Sequence, residues 1–135
     1  MATYNKFNCF TEDLAEKKHN LATDTLVVAL TNTLPVATNT VIGDITQINY
    51  TGLSSRNLVQ ASSTQTSGTY KLVINDLTLT ATGTIPTYRY VVIYNDTSAT
   101  DALIAWFDVG APVNMINLDT LVLDFDGSGG ALTIV

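Results

Sequence analysis

The residues that could do chemistry in this chain are few. It contains one cysteine, Cys9, and one histidine, His19. One thiol and one imidazole cannot close a tetrahedral zinc site, and Cys9 has no activating base at a recognisable spacing, so it reads as a small packed side chain. A serine nucleophile would have to rely on His19, and no G-x-S-x-G elbow accompanies it. The segment Asp124-Phe125-Asp126-Gly127-Ser128-Gly129 imitates the first half of a calcium loop. The loop's final ligand should be a bidentate glutamate, but Val135 stands at that position. The same two aspartates share one strand face, so they cannot bracket a sugar ring as a glycosidase pair must. They read as solvated acids of a hairpin whose Leu121, Leu123 and Phe125 turn inward. Gly127 to Gly130 leads into a strand and not into a lysine-bearing helix, so it is no phosphate cradle. No cofactor, metal or catalytic residue is expected.

Three tyrosines carry the remaining signal. Strict alternation would put Tyr88, Tyr90 and Tyr94 on one strand face with Val92, opposite Val91 and Ile93. Such a face suits cross-strand packing, a subunit interface or a platform for stacking sugars. Trp106 shares the parity of Ile104 and reads as core. The sequons at Asn49 and Asn95 read as ordinary turn residues.

The elements that would position these residues follow from composition and pattern. Hydrophobic residues make up 46% of the 135 positions and charged residues 13%, which favours a folded core over disorder. A surface so poor in charge must be built from Thr, Ser and Asn, a composition that suits an assembly component. Six Lys and Arg against twelve Asp and Glu give a net charge of −6, with no basic stripe. That disfavours nucleic acid and anionic membrane as partners. The amino terminus lacks an apolar signal core, and every apolar run is strand-sized.

Phe7, Phe10, Leu14 and Leu21 predict one amphipathic helix over residues 8–18, capped by Asn8 or Thr11, with acids early and lysines late. Residues 24–32 read as a central strand, apolar on both faces. Residues 37–49 fit a helical turn and an irregular strand equally well. Short strands follow at 57–65, 69–74, 77–82, 88–95 and 102–108, and then 119–126 turns into ALTIV. The expected fold is mainly β: an antiparallel β-sandwich or jelly-roll-like domain with one short N-terminal helix. A single domain should span residues 1–135, with an arm at 1–7, the helix at 8–18 and the sandwich at 24–135. The arm residues Ala2, Thr3, Tyr4, Asn5, Lys6 and Phe7 are candidates for contact with a neighbouring protein. The edge of the last strand should be covered by a partner or a loop.

The phrases YNKFNCFTEDLAEKKHNL, DTLVVALTNTLPVATNTVIGDITQI, SSTQTSGTYKLVINDLTLTATGTI, YRYVVIYNDTSATDALIAWFDVG and LDFDGSGGALTIV together resemble small virion proteins of tailed bacteriophages. Within that class the chain is most similar to head decoration, or cement, proteins. The resemblance implies a non-enzymatic β-sandwich that trimerises on the capsid exterior and bridges major capsid protein subunits. The Tyr88, Tyr90 and Tyr94 face would then be the trimer contact and residues 2–7 the capsid-contacting arm. Other expectations are a tail-tube, tail-terminator or fibre-associated protein, and a carbohydrate-binding module on the particle surface.

Overall fold

Residues 88–95 combine β-branched and aromatic side chains with apolar character on both faces, which demands a strand covered on both sides. A computed structural model, which describes residues 3–135, supplies both coverings. Its elements in chain order are β1 (Asn5–Lys6), α1 (Cys9–Ala15), β2 (Leu26–Thr31), a 3₁₀ turn (Ile42–Asp44), β3 (Gln60–Thr66), β4 (Thr69–Ile74), β5 (Leu77–Thr80), β6 (Ile85–Asn95), β7 (Leu103–Met115), β8 (Thr120–Leu123) and β9 (Leu132–Ile134). All ladders are antiparallel, in the orders β1-β7-β6-β2, β3-β4-β9 and β5-β8. The fold is mainly β and sandwich-like, with one short helix. None of the described helices is long and apolar enough to cross a membrane.

Period-two alternation sorts the side chains of the four-stranded sheet into two cores. Leu26, Val28, Leu30, Val91 and Ile93 meet Leu72, Ile74, Leu79 and Leu132 from the two smaller sheets. Val27, Ala29, Val92 and Tyr94 face the other way, onto Phe7, Ile45 and Leu103. Residues 24–32 thus give a strand buried on both faces, as expected. Its place is the rim of its sheet, not the centre. An irregular segment stands where a further strand would be: Val28 and Leu58 donate backbone N–H groups to Arg56 and Leu26. Arg56 Nη1 donates to the Val28 carbonyl at 2.6 Å, and Tyr50 Oη accepts from Leu30 N–H at 2.9 Å.

Several boundaries differ from the sequence expectation. The helix ends at Ala15, not at residue 18. Lys17 adopts a left-handed φ of 68°, and the Lys18 N–H returns to the Asp13 carbonyl at 2.8 Å. This closure places both lysines beyond the last turn. The segment after Leu123 does not fold back as a hairpin. β8 pairs with β5, whereas β9 pairs with β4, so the chain crosses between sheets at Asp124–Ala131. Residues 37–49 contain the 3₁₀ turn, and the turn at 66–68 joins β3 to β4 through Ser67 and Gly68, both at positive φ. β7 continues past Gly110 and Pro112 to Met115.

The arm is also reassigned. Asn5 and Lys6 pair with Trp106 and Ala105, and Phe7 is fully buried beside Trp106 at a ring separation of 4.7 Å. Tyr4 packs edge-on against Phe107. Of the described arm residues Thr3 and Lys6 are exposed, and Ala2 lies outside the described residues. The segment is held because Phe7 completes the second core. Phe7→Ala should therefore destabilise the fold by about 3–5 kcal/mol in urea denaturation, whereas truncation of a loose arm residue would leave the midpoint unchanged.

Candidate functional site

The turn that closes α1 and the loop after β6 meet around Asn95, a fully buried polar residue. Its Oδ1 accepts the backbone N–H groups of Thr97 and Ser98 at 2.9 and 3.2 Å. The amide nitrogen is therefore on the other side, where it donates to Asp24 Oδ2 at 2.6 Å and meets His19 Nδ1 at 2.9 Å. These contacts assign the histidine tautomer: Nδ1 accepts, so the ring proton resides on Nε2. His19 is only 6% exposed, and its Nε2 is the one buried side-chain nitrogen or oxygen among the described residues without a hydrogen-bond partner. An unpaired donor of this kind costs about 1–3 kcal/mol unless something supplies an acceptor.

His19 lines an open surface depression of about 560 Å³ between the α1 turn and the β3–β4 hairpin. Leu14, Leu21 and Ile134 supply apolar wall. Lys17, Lys18 and Asp24 are the charged groups of the lining. Lys18 Nζ is 2.7 Å from Asp13, which raises the lysine pKa. Burial lowers the pKa of His19, against an upward pull from Asp13 and Asp24 and together with a downward push from Lys18. At neutral pH the ring is thus uncharged.

The residues singled out from the sequence do not converge here. The tyrosines do not form one face, because pairing slips between Tyr88 and Tyr90. This bulge turns Tyr88 into the core of Val91 and Ile93, where its hydroxyl lies 3.3 Å from Met115 Sδ. Tyr94 stays with Val92 in the opposite core, and Tyr90 is buried beside Arg89. None of the three presents a ring that could stack on a sugar, and Tyr88 is inaccessible to a partner. A second slip, between Ile93 and Tyr94, places both Ile104 and Ala105 in the first core. Trp106 consequently packs with Phe7 and Leu103, not on the face of Ile104.

No family model, curated protein or solved structure matches the chain.

The acids of the last loop serve the backbone. Asp126 Oδ1 accepts from Ser128 N–H at 2.9 Å and Gly129 N–H at 2.7 Å, and these bonds hold its carboxyl below the usual range. No group of three His, Cys, Asp or Glu converges among the described residues. Cys9 is half-buried, with Sγ 3.7–3.8 Å from the carbonyls of Asn39, Thr40 and Leu103. Burial, reinforced by Asp13, pushes its thiol up to about 11.

His19 was legible in the sequence only as the lone histidine. Its pairing with Asn95 joins residues 76 positions apart, a separation at which no local pattern exists.

Two measurements check these assignments. Because His19 has its pKa lowered on folding, the unfolded chain binds the extra proton first. Stability should be constant above about pH 7 and fall as pH drops through the ordinary value of 6.5, by at most about 1.4 kcal/mol per pH unit. His19→Gln should flatten the profile between pH 7 and about 5, above the ordinary carboxylate range. Alkylation of Cys9 by iodoacetamide at pH 7.5 should be roughly two orders of magnitude slower than that of a free cysteine, whose pKa is about 8.5.

Proposed function

We propose that this chain is a non-enzymatic virion protein that decorates and stabilises a bacteriophage capsid, bridging major capsid protein subunits as an oligomer. The trimeric state and the capsid partner rest on the resemblance of the sequence phrases. What the structure contributes is a strong difference between the two ends of the four-stranded sheet.

Register defines the ends. Thr31 and Asp108 lie opposite Tyr90, and Met115 lies opposite Ile85. The loop after β2, the bulge at residues 109–112 and the turn at 116–119 therefore leave the sheet at the same end. That end carries exposed apolar side chains: Leu34 at 60%, Ile116 at 61% and Leu118 at 80%, with Val109 also exposed. The opposite end carries the polar loop Asp96–Asp101. Four of the eight large exposed hydrophobics among the described residues thus fall at one end, and this observation carries the reading. Clustered apolar exposure marks association surfaces.

The apolar end is held by its framework. Arg89 makes a two-pronged contact with Asp108 at 2.8 and 3.0 Å, and Asp108 Oδ1 accepts Gly110 N–H at 2.8 Å. Four residues, Val109 to Pro112, bulge out opposite the single residue Arg89. Asp119 Oδ2 accepts Ile116 N–H at 2.9 Å, which fixes the turn bearing Leu118. A surface ordered before contact loses less entropy on binding. Several modest contacts per oligomer then add through multivalency.

The double variant Ile116→Asp/Leu118→Asp tests this. Leu118 has φ 75°, a conformation in which Asp is more at home than Leu, so the fold should keep its melting temperature. Light scattering should show loss of the oligomer, and purified capsids should no longer retain the protein. A variant that assembles and binds as the parent does would remove the apolar end from the reading. Antibody-gold on intact particles should label the head evenly; label confined to the tail would overturn capsid decoration and leave a tail component.

A further inference from the structure

We propose that the outer edge of β8 docks an extended peptide segment that alternates apolar side chains and carries a basic residue. Thr80 of β5 turns its backbone away from β8: its carbonyl accepts Ser54 N–H at 3.0 Å and its N–H donates to Ser54 Oγ at 2.9 Å. Ala81 N–H points the other way, to the Asp119 carbonyl at 2.9 Å. These directions alternate in an antiparallel ladder, so Leu77 and Leu79 exchange bonds with their partners Leu123 and Leu121. Thr120 and Val122, the partners of Thr80 and Thr78, therefore aim their N–H and C=O groups outward. No strand pairs with β8 on that side among the described residues, whereas the outer edge of β5 is closed by Gly52 to Ser54.

A groove of about 350 Å³ runs beside this edge. No residue of β5 lines it, so it lies on the outer side of β8. Tyr4, Phe107 and Phe125 form its aromatic wall, joined edge-on in a chain of rings. Leu121 and Leu123 are half-buried, while Val122 turns out and is 53% exposed. An added strand matches both features. Its backbone pairs with Thr120 and Val122, and every second side chain enters the groove.

Charge selects the occupant. Among the described residues no lysine, arginine or histidine lines the groove, which holds Asp124 and Asp126. Asp126 is committed to the backbone of Ser128 and Gly129, and Lys71 to the Ser128 carbonyl. Asp124 is exposed and makes no ion pair among the described residues. It shares the parity of Val122, so a basic side chain two places along the added strand from the residue opposite Val122 meets it. A second copy of this chain, at net charge −6, would set one acidic groove against another, which favours a basic segment of a different protein. The site uses residues other than those of the apolar end. Ile116→Asp/Leu118→Asp should keep peptide binding, and Val122→Pro should keep the oligomer.

The test exposes the full chain and its Val122→Pro variant in parallel to a randomised heptapeptide library. The most enriched peptide is then titrated while amide hydrogen exchange is followed. Proline removes one outward N–H and spares the ladder to β5, so the variant should fold. Expected are peptides with alternating apolar residues and a Lys or Arg, retained by the parent and not by the variant, with slowed exchange at Thr120 and Val122. Asp124→Lys, on an exposed side chain, should weaken the enriched peptide about tenfold. The proposal is overturned if no peptide is enriched, if the variant retains the same peptides, if they carry no basic residue, or if Asp124→Lys binds as the parent does. Protection of Val122 that rises with protein concentration alone would give the edge to a second copy and equally overturn it.

Discussion

The double-sided burial of β6 is the constraint from which the remaining architecture follows. Val91 to Asn95 are all buried, with Val91 and Ile93 on one side and Val92 and Tyr94 on the other. A strand of this kind cannot lie on the outside of a sandwich with one face wet. The two small sheets cover one side. The other side is covered without a sheet, by Phe7, the region of the 3₁₀ turn and the start of α1. Burial of roughly 1.5–3 kcal/mol per large apolar side chain drives both coverings. The N-terminal segment is thereby recruited into the core.

Burial also dictates where polar groups must be satisfied. β2 is buried on both faces, so its outer backbone edge cannot rely on water. Residues 48–58 meet that demand piece by piece, with backbone groups of Ile48, Arg56 and Leu58 and side chains of Tyr50 and Arg56. The guanidinium of Arg56 lies 3.6 Å over the Tyr50 ring, so one arginine both caps a carbonyl and stacks. At the other end of β6, Asn95 does comparable work for the loop at 96–101. Among the described residues one buried side-chain polar atom, His19 Nε2, is left without a partner.

Alternation made the two-faced strands readable: residues 24–32 and 88–95 show their character without any structure. The parity of individual side chains failed wherever a bulge intervened. Tyr88 and Trp106 were each placed on a face by counting in twos, and one slip apiece reversed them. Alternation carries no sign of a bulge whose residues remain compatible with either count. Gly110 and Pro112 were visible, but as strand terminators; in the molecule they belong to a protrusion after which pairing resumes at Val113. The apolar end was illegible for a related reason. Leu34 and the turn that bears Ile116 and Leu118 are far apart in sequence and are assigned to one end only through register.

The bulge and the polar edges bear on how such a domain can assemble. An open, flat strand edge invites indefinite edge-to-edge pairing, which yields filaments in place of closed oligomers. Here β3, the rim of the three-stranded sheet, is QASSTQT, with no large apolar side chain to seal a sheet-to-sheet contact. β7 is shielded by β1 over Ala105 and Trp106, and beyond that it is distorted by Val109 to Pro112, with proline removing a backbone donor. Strand addition is thus opposed at these rims, while apolar side chains are concentrated on hydrogen-bonded turns at one end. A domain arranged this way can associate through loop tips with defined geometry and then stop. Closure of that kind is what the proposed role requires, since a decorating protein must saturate a lattice it did not build without extending it.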